Sequence, residues 1–189
     1  MAERSIANLR SFGDMDSDVF VGPVGTEKPT GKSSLTSAPW DVLGWLGEDG
    51  AEEGFSVDVT KFKLFQGGKT GRTKTNGTEK TMQVTAAETN PLVFELFYGT
   101  TEPAKVTAGV AEIEIPDGAG TVARAAAFLY TDGDLWYIRY NTRAEITDRG
   151  TVTYANSELS TRQMTFDLVG KDYWLTNDPA FTGTEILFA

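Results

Sequence analysis

Histidine and cysteine are both absent from this chain. Without them there is no Ser-His-Asp triad, no thiol nucleophile and almost no route to a zinc site, so catalytic readings are left with carboxylates, lysine and hydroxyls. The fold also does without disulfides, which by itself says nothing about the redox state of its surroundings. No run of residues is long and apolar enough to cross a bilayer, and Met1-Ala2-Glu3-Arg4-Ser5-Ile6 lacks the apolar core of a secretory signal. The sequence therefore predicts synthesis and retention in a cytoplasm, with no membrane partner. Cations are scarce: 17 Lys and Arg stand against 27 Asp and Glu, a formal charge of −10. Such a balance argues against a protein that grips nucleic acid by its phosphates, though not against one that nucleic acid slides past.

The remaining chemical motifs fail on spacing. Gly68-Lys69-Thr70 has the end of a phosphate loop, but the required first glycine would fall at Lys63, and the segment joins strands instead of opening a helix. Asp14, Asp16 and Asp18 begin like a calcium loop whose sixth position is Val19 and whose twelfth is Gly25, where glycine and glutamate are needed. Glu48, Asp49, Glu52 and Glu53 offer paired carboxylates with nothing to fix their separation, and read as a solvated acidic turn. Asp132 and Asp134 flank a hairpin glycine. Trp136, Tyr137 and Tyr140 sit at strand spacing, which suits packing better than stacking on sugars or bases. No catalytic residue, metal site or cofactor is expected, and the chain is not read as an enzyme.

What is present is a strand-rich pattern around one helix. The 189 residues suit a single domain, residues 1–189, in which residues 1–16 form a flexible N-terminal arm. Asp18 to Gly22 reads as a short strand ended by Pro23, and 24–39 as a long polar loop whose one further large apolar residue is Leu35. Phe55, Val57 and Val59 alternate with polar residues before the phase slips to Phe62 and Leu64, which predicts a bulge or bend in one long strand. Gln66 to Gly77 holds no apolar residue and reads as a hairpin tip or long exposed loop, and Met82, Val84 and Ala86 mark the returning strand.

Asn90-Pro91-Leu92-Val93-Phe94-Glu95-Leu96-Phe97-Tyr98-Gly99 then carries an N-cap, a proline suited to the first turn and a glycine suited to a left-handed C-terminal residue. Its apolar stripe, Leu92, Val93, Leu96 and Phe97, must lie on a sheet. Further strands follow around Val110 to Ile115, Val122 to Tyr130, Leu135 to Ile146, Val152 to Tyr154 and Met164 to Leu168, with an apolar tail at Tyr173-Trp174-Leu175 and Ile186-Leu187-Phe188. The class is mainly β: a sandwich or barrel with one flanking helix near residues 90–98.

Four segments in order resemble a known family. They are Val21-Gly22-Pro23-Val24-Gly25-Thr26, Trp40 to Gly50, Phe62-Lys63-Leu64-Phe65-Gln66-Gly67-Gly68, and Glu88-Thr89-Asn90-Pro91 through Gly99. Together they resemble the major tail tube proteins of phages with long non-contractile tails, over roughly the first hundred residues and beyond that by strand order alone. The resemblance implies a β-sandwich with a flanking helix, six copies closed into a ring, and stacked rings through which the genome leaves. It implies as partners the chain itself, a tape-measure protein, baseplate or initiator proteins and a tail terminator, with DNA in transient non-specific passage. It places the protein in the virion tail after assembly in the host cytoplasm.

Six copies at −10 each put −60 on a ring, and an acidic lumen repels phosphate. Glu112 and Glu114, alternating with Ile113 and Ile115, are lumen candidates. Lys28, Lys32, Lys69, Arg72 and Lys74 are candidates for contacts between rings, in loops expected to order against the next acidic ring. A tube protein of a contractile injection machine is the neighbouring alternative, and a sugar-binding adhesin the more distant one.

Overall fold

Alternating apolar residues close on themselves here. The computed structural model describes residues 9–100, 102, 104–118 and 120–182. Its strands are β1 (Asp18–Gly22), β2 (Asp41–Val42), β3 (Leu46–Lys63), β4 (Thr70–Ala86), β5 (Lys105–Thr107), β6 (Val110–Glu112), β7 (Val122–Asp132), β8 (Leu135–Arg149), β9 (Arg162–Leu168) and β10 (Asp172–Thr176). The one helix of two turns is α1 (Pro91–Tyr98), and α2 (Pro179–Thr182) is a single turn. Eight strands pair antiparallel in the order β2-β1-β7-β8-β9-β4-β3, with β10 beside β8, while β5 and β6 form a separate ribbon.

The two ends of that order are consecutive in the chain, and this closes the sheet. Phe20 pairs with Val42 on one side and Leu46 with Ala86 on the other. Between them the Leu43 amide donates to the Val19 carbonyl, and the Ala87 amide to the Trp45 carbonyl, each at 2.8 Å. Residues 41–46 thus bridge β1 and β4, so the fold expected to be a sandwich or barrel has a barrel-like closed sheet. The seam turns at Gly44, whose φ of 94° is costly for any side chain, and where a Cβ would meet Glu88 Oε2 at 2.1 Å.

A small barrel is filled by its own side chains. Val19, Val21, Leu43, Met82, Val84, Phe128, Ile146, Met164 and Phe166 form that interior, with Val93, Leu96 and Phe97 of α1 packed into it. Leu92 is partly buried against the same cluster. The Phe128 and Phe166 rings meet edge to face at 5.8 Å. The opposite face of β7 and β8 is covered as well, by Leu35 and Trp40 from the long loop on Ala125, Ala127, Leu129, Ile138 and Tyr140. Burial on both faces makes β7 a continuous apolar run, Ala125 to Leu129, in place of an alternating one.

The helix forms where its signals place it. Asn90 Oδ1 accepts from the Val93 amide at 2.9 Å, Pro91 opens the helix, and Gly99, at φ 70°, returns its amide to the Glu95 carbonyl at 2.8 Å. Three expectations are corrected. The acidic stretch 47–54 belongs to β3 and is no turn. The polar loop is far shorter than residues 66–77, because β4 begins at Thr70 and the turn itself is confined to residues 65–68. The phase slip in β3 has its counterpart on β4: Asp58 pairs with Gly77 and Val59 with Thr75, leaving Asn76 extra, and Gly71 is passed over in the same way. Residues 150–161 hold no strand, so Val152 and Tyr154 do not extend the sheet, and Ile186, Leu187 and Phe188 lie outside the described residues.

Candidate assembly surfaces

Beyond the last rung shared with β9, Thr81 against Asp167, β3 and β4 leave the barrel as a two-stranded arm. From Phe55 to Lys63 the arm reaches about 30 Å at ~3.3 Å per residue. Every residue from Phe55 to Glu79 is exposed. The outer part contains Val57, Val59, Phe62 and Leu64 as well as Phe65, which is 99% exposed at the tip. A lone hairpin of this kind is marginal in water, and so large an apolar surface on it marks a contact surface.

The arm's charge is opposite to that of the body. Residues 55–80 contain six cations and two carboxylates, a net of +4, which leaves −14 on the rest of the chain. Lys69 lies at the turn, and Arg72 and Lys74 on β4; among the described residues none of the three is in an ion pair. Lys28 and Lys32 differ. Lys28 Nζ sits 4.9 Å from the Tyr173 ring centroid, and Lys32 pairs with Asp16, so both are already engaged within the subunit.

The root of the arm is fixed by a charge network centred on a buried arginine. Arg139, 7% exposed, donates to Asp172 at 2.6 Å and pairs with Glu53 of β3 at 3.2 Å, while Lys80 of β4 reaches Asp172 at 3.2 Å. The Arg139 guanidinium also lies 5.2 Å from the Trp174 ring centroid. Because both strands are tied to β8 and β10 here, the arm leaves the barrel from a fixed base.

The described part of the N-terminal arm, from Leu9 to Asp16, lies on the β7–β8 end. Arg10 donates to Asp178 at 2.8 and 2.5 Å, the Ser11 amide to Asp132 at 3.2 Å, and the Gly133 amide to Asp14 at 2.6 Å. Phe12 packs edge-on against Tyr137 at 5.2 Å. The Tyr137 hydroxyl, the Ala180 amide and the Arg10 guanidinium hold the Asp178 carboxyl below the usual carboxylate range. Asp14, Asp16 and Asp18 do not converge: the first caps the Gly133 turn, the second pairs with Lys32, and the third lies at the seam.

Burial pushes the Asp18 carboxyl up to about 6, against amide hydrogen bonds from Val19 and Gly44 that favour its charge, and the nearby Glu88 carboxylate adds to the rise. The aromatic candidates are packed. Tyr140 meets Trp40 at 6.0 Å and stacks on Tyr173 at 6.0 Å, and its hydroxyl donates to the Thr26 carbonyl. Trp136 is partly buried against the Leu35 cluster.

A family model described as Phage tail tube protein matches residues 16–184. The chain belongs to the phage tail tube family. It is a structural component of the virion tail, with self-association and other tail components as the kind of partnership that membership carries. A search of curated proteins finds no match.

In this tail tube subunit, Glu112 ends β6 and faces Lys105 in register, and Glu114 follows the strand. The isoleucines that alternate with them are not core residues: Ile113 is 38% and Ile115 53% exposed, because the β5–β6 ribbon pairs with no strand of the barrel. Sequence reasoning missed a cleft between the outer side of α1, the start of β7 and the residues that flank the β5–β6 ribbon. It has a volume of about 660 Å³ and is lined by Phe94, Glu95, Glu102, Ala104, Ile113 and Val122, among others, with Arg124 paired to Glu95. Phe94 was the available signal, an aromatic on the helix face away from the buried stripe.

Proposed function

We propose that six copies of this tail tube subunit close into a ring and that rings stack into a tube through which the phage genome passes. The observation that carries this reading is the cationic arm on the acidic body, +4 against −14 in one chain. Such a molecule is complementary to copies of itself displaced along one axis, and a head-to-tail contact between identical subunits propagates. Ring closure is aided by the free outer edge of β3, which pairs only with β4 and would otherwise remain an open strand edge.

With the arms engaged between rings, the body's excess carboxylate is left to face the bore, where it repels the phosphates of passing DNA. Glu112 and Glu114, on an exposed ribbon, are our candidates for that lining. Lys69, Arg72 and Lys74 act between rings, and Lys28 and Lys32 join them only by giving up Tyr173 and Asp16. Assembly takes place in the host cytoplasm around a tape-measure protein, starts on baseplate or initiator proteins, and ends at a terminator. The test removes the arm without disturbing the barrel. Replacing Asp58 to Gly77 by Asn-Gly joins Val57 to Thr78, which already face each other, through a two-residue turn. The variant should fold with the parent's unfolding transition and form no tubes by electron microscopy; tubes of normal length refute the proposal.

A further inference from the structure

The arm tip needs a host. Phe65 projects into solvent with Leu64, 53% exposed, beside it, on a ribbon that has no layer beneath it to bury either side chain. Lys63 and Lys69 stand at the two ends of the same turn, where the Leu64 amide donates to the Lys69 carbonyl at 2.8 Å. The cleft beside α1 offers the converse. Phe94, Ile113 and Val122 provide apolar walls, and Glu102 provides a carboxylate, while Glu95 and Arg124 neutralise each other. Its volume of about 660 Å³ has room for two side chains.

We infer that the cleft between α1, the start of β7 and the residues flanking the β5–β6 ribbon receives the arm tip of a second copy of this chain, with Phe65 as the buried anchor and Lys63 and Lys69 on the side of Glu102. Resting on the stacked-ring reading, this names the acceptor on the neighbouring subunit. Hot spots of this kind combine an aromatic anchor with a rim that excludes water. The cleft is on the barrel body and the tip stands about 30 Å from the arm's root by the strand rise, which gives the tip the reach to meet a neighbouring subunit.

The chain has no cysteine, which makes a cross-link test clean. A Phe65→Cys, Ala104→Cys double variant, assembled and then oxidised, should give a ladder of covalent oligomers on a non-reducing gel, since each subunit both donates and receives. The control pairs Phe65→Cys with Glu158→Cys, exposed and outside every proposed contact, and should give no more than dimers. In parallel, Phe65→Ser, and Ala104→Trp to fill the cleft, should each raise the concentration needed for assembly about tenfold or more. Tubes that yield no ladder, a control that ladders equally, or a Phe65→Ser variant that assembles as the parent does would overturn the acceptor assignment and leave the tube reading standing. A parent chain that forms no tubes at any concentration removes both.

Discussion

Asn90 ties the helix to the barrel seam with a single side chain, and replacing it should cost more than an ordinary cap. Its Oδ1 accepts from the Val93 amide at 2.9 Å, and its Nδ2 donates to the carbonyl of Leu43 at 2.9 Å. Leu43 is fully buried. Asn90→Ala loses the cap, about 1 kcal/mol, and leaves a buried carbonyl without its donor, about 1–3 kcal/mol more. The expected loss is about 2–4 kcal/mol, equivalent in a chain of this size to a fall in melting temperature of about 5–15 °C.

Asn90→Ser separates the two contributions, because serine caps well but is too short to reach Leu43, so only the second loss remains. Urea titrations at a concentration where the subunit is monomeric, followed by tryptophan fluorescence, should rank parent, serine and alanine in that order with an unchanged slope. An alanine variant within about 0.5 kcal/mol of the parent would refute the double role. A serine variant as unstable as the alanine one would show that the cap contributes nothing.

The seam carboxylate sets a second expectation. Burial raises the folded Asp18 carboxyl from 3.8 to about 6, so its contribution to stability is greatest below pH 3.8 and falls away as the pH rises to about 6. Asp18→Asn should therefore be more stable than the parent by about 1–3 kcal/mol at pH 7 and nearly equal at pH 3, and denaturation midpoints across that range decide it. Asp178 acts with the opposite sign: its depressed carboxyl stabilises above the ordinary carboxylate range and ceases to as the pH falls, so the deficit of Asp178→Asn should shrink as an acid titration passes below that range. Phe128→Ala empties a fully buried site against Phe166 and should cost about 3–5 kcal/mol by calorimetry, with a smaller loss indicating that the barrel interior collapses around the gap. Raising salt from ~0.1 to ~1 M shortens electrostatic reach from ~10 to ~3 Å and should raise the protein concentration at which tubes appear in light scattering; no change would separate assembly from the charge of the arm.

The helix was legible because all its signals are local: cap, proline, stripe and glycine lie within ten residues, Asn90 to Gly99. Strands β7, β8 and β9 were legible from apolar spacing and turn residues. The acidic part of β3 was not, since its glycines look like turn residues but serve cross-strand packing. A Cβ at Gly54 would meet Thr81 Oγ1 at 2.3 Å, and one at Gly47 would meet Thr85 Cγ2 at 3.2 Å. The outer half of β4 carries no hydrophobic pattern because both of its faces meet solvent, so threonine's preference for extended backbone was the one remaining signal. The cleft unites residues from 91 to 124 across separate elements, and no local window contains it. Family membership came from order and spacing along the chain, while the arm's geometry and its fixed root required coordinates.

Asn76 and Gly71, the two residues without opposite numbers on β3, bear on the subunit's life before assembly. A straight ribbon this long, with open amides and carbonyls along one side, would template sideways zippering of newly made chains into fibrils. Each unmatched residue coils the ribbon more tightly, so two arms laid side by side fall out of step after a few rungs. If rings stack as proposed, such irregularities would keep free protein dispersed until an end-on encounter replaces a sideways one, and a local feature of one strand would guard where growth begins.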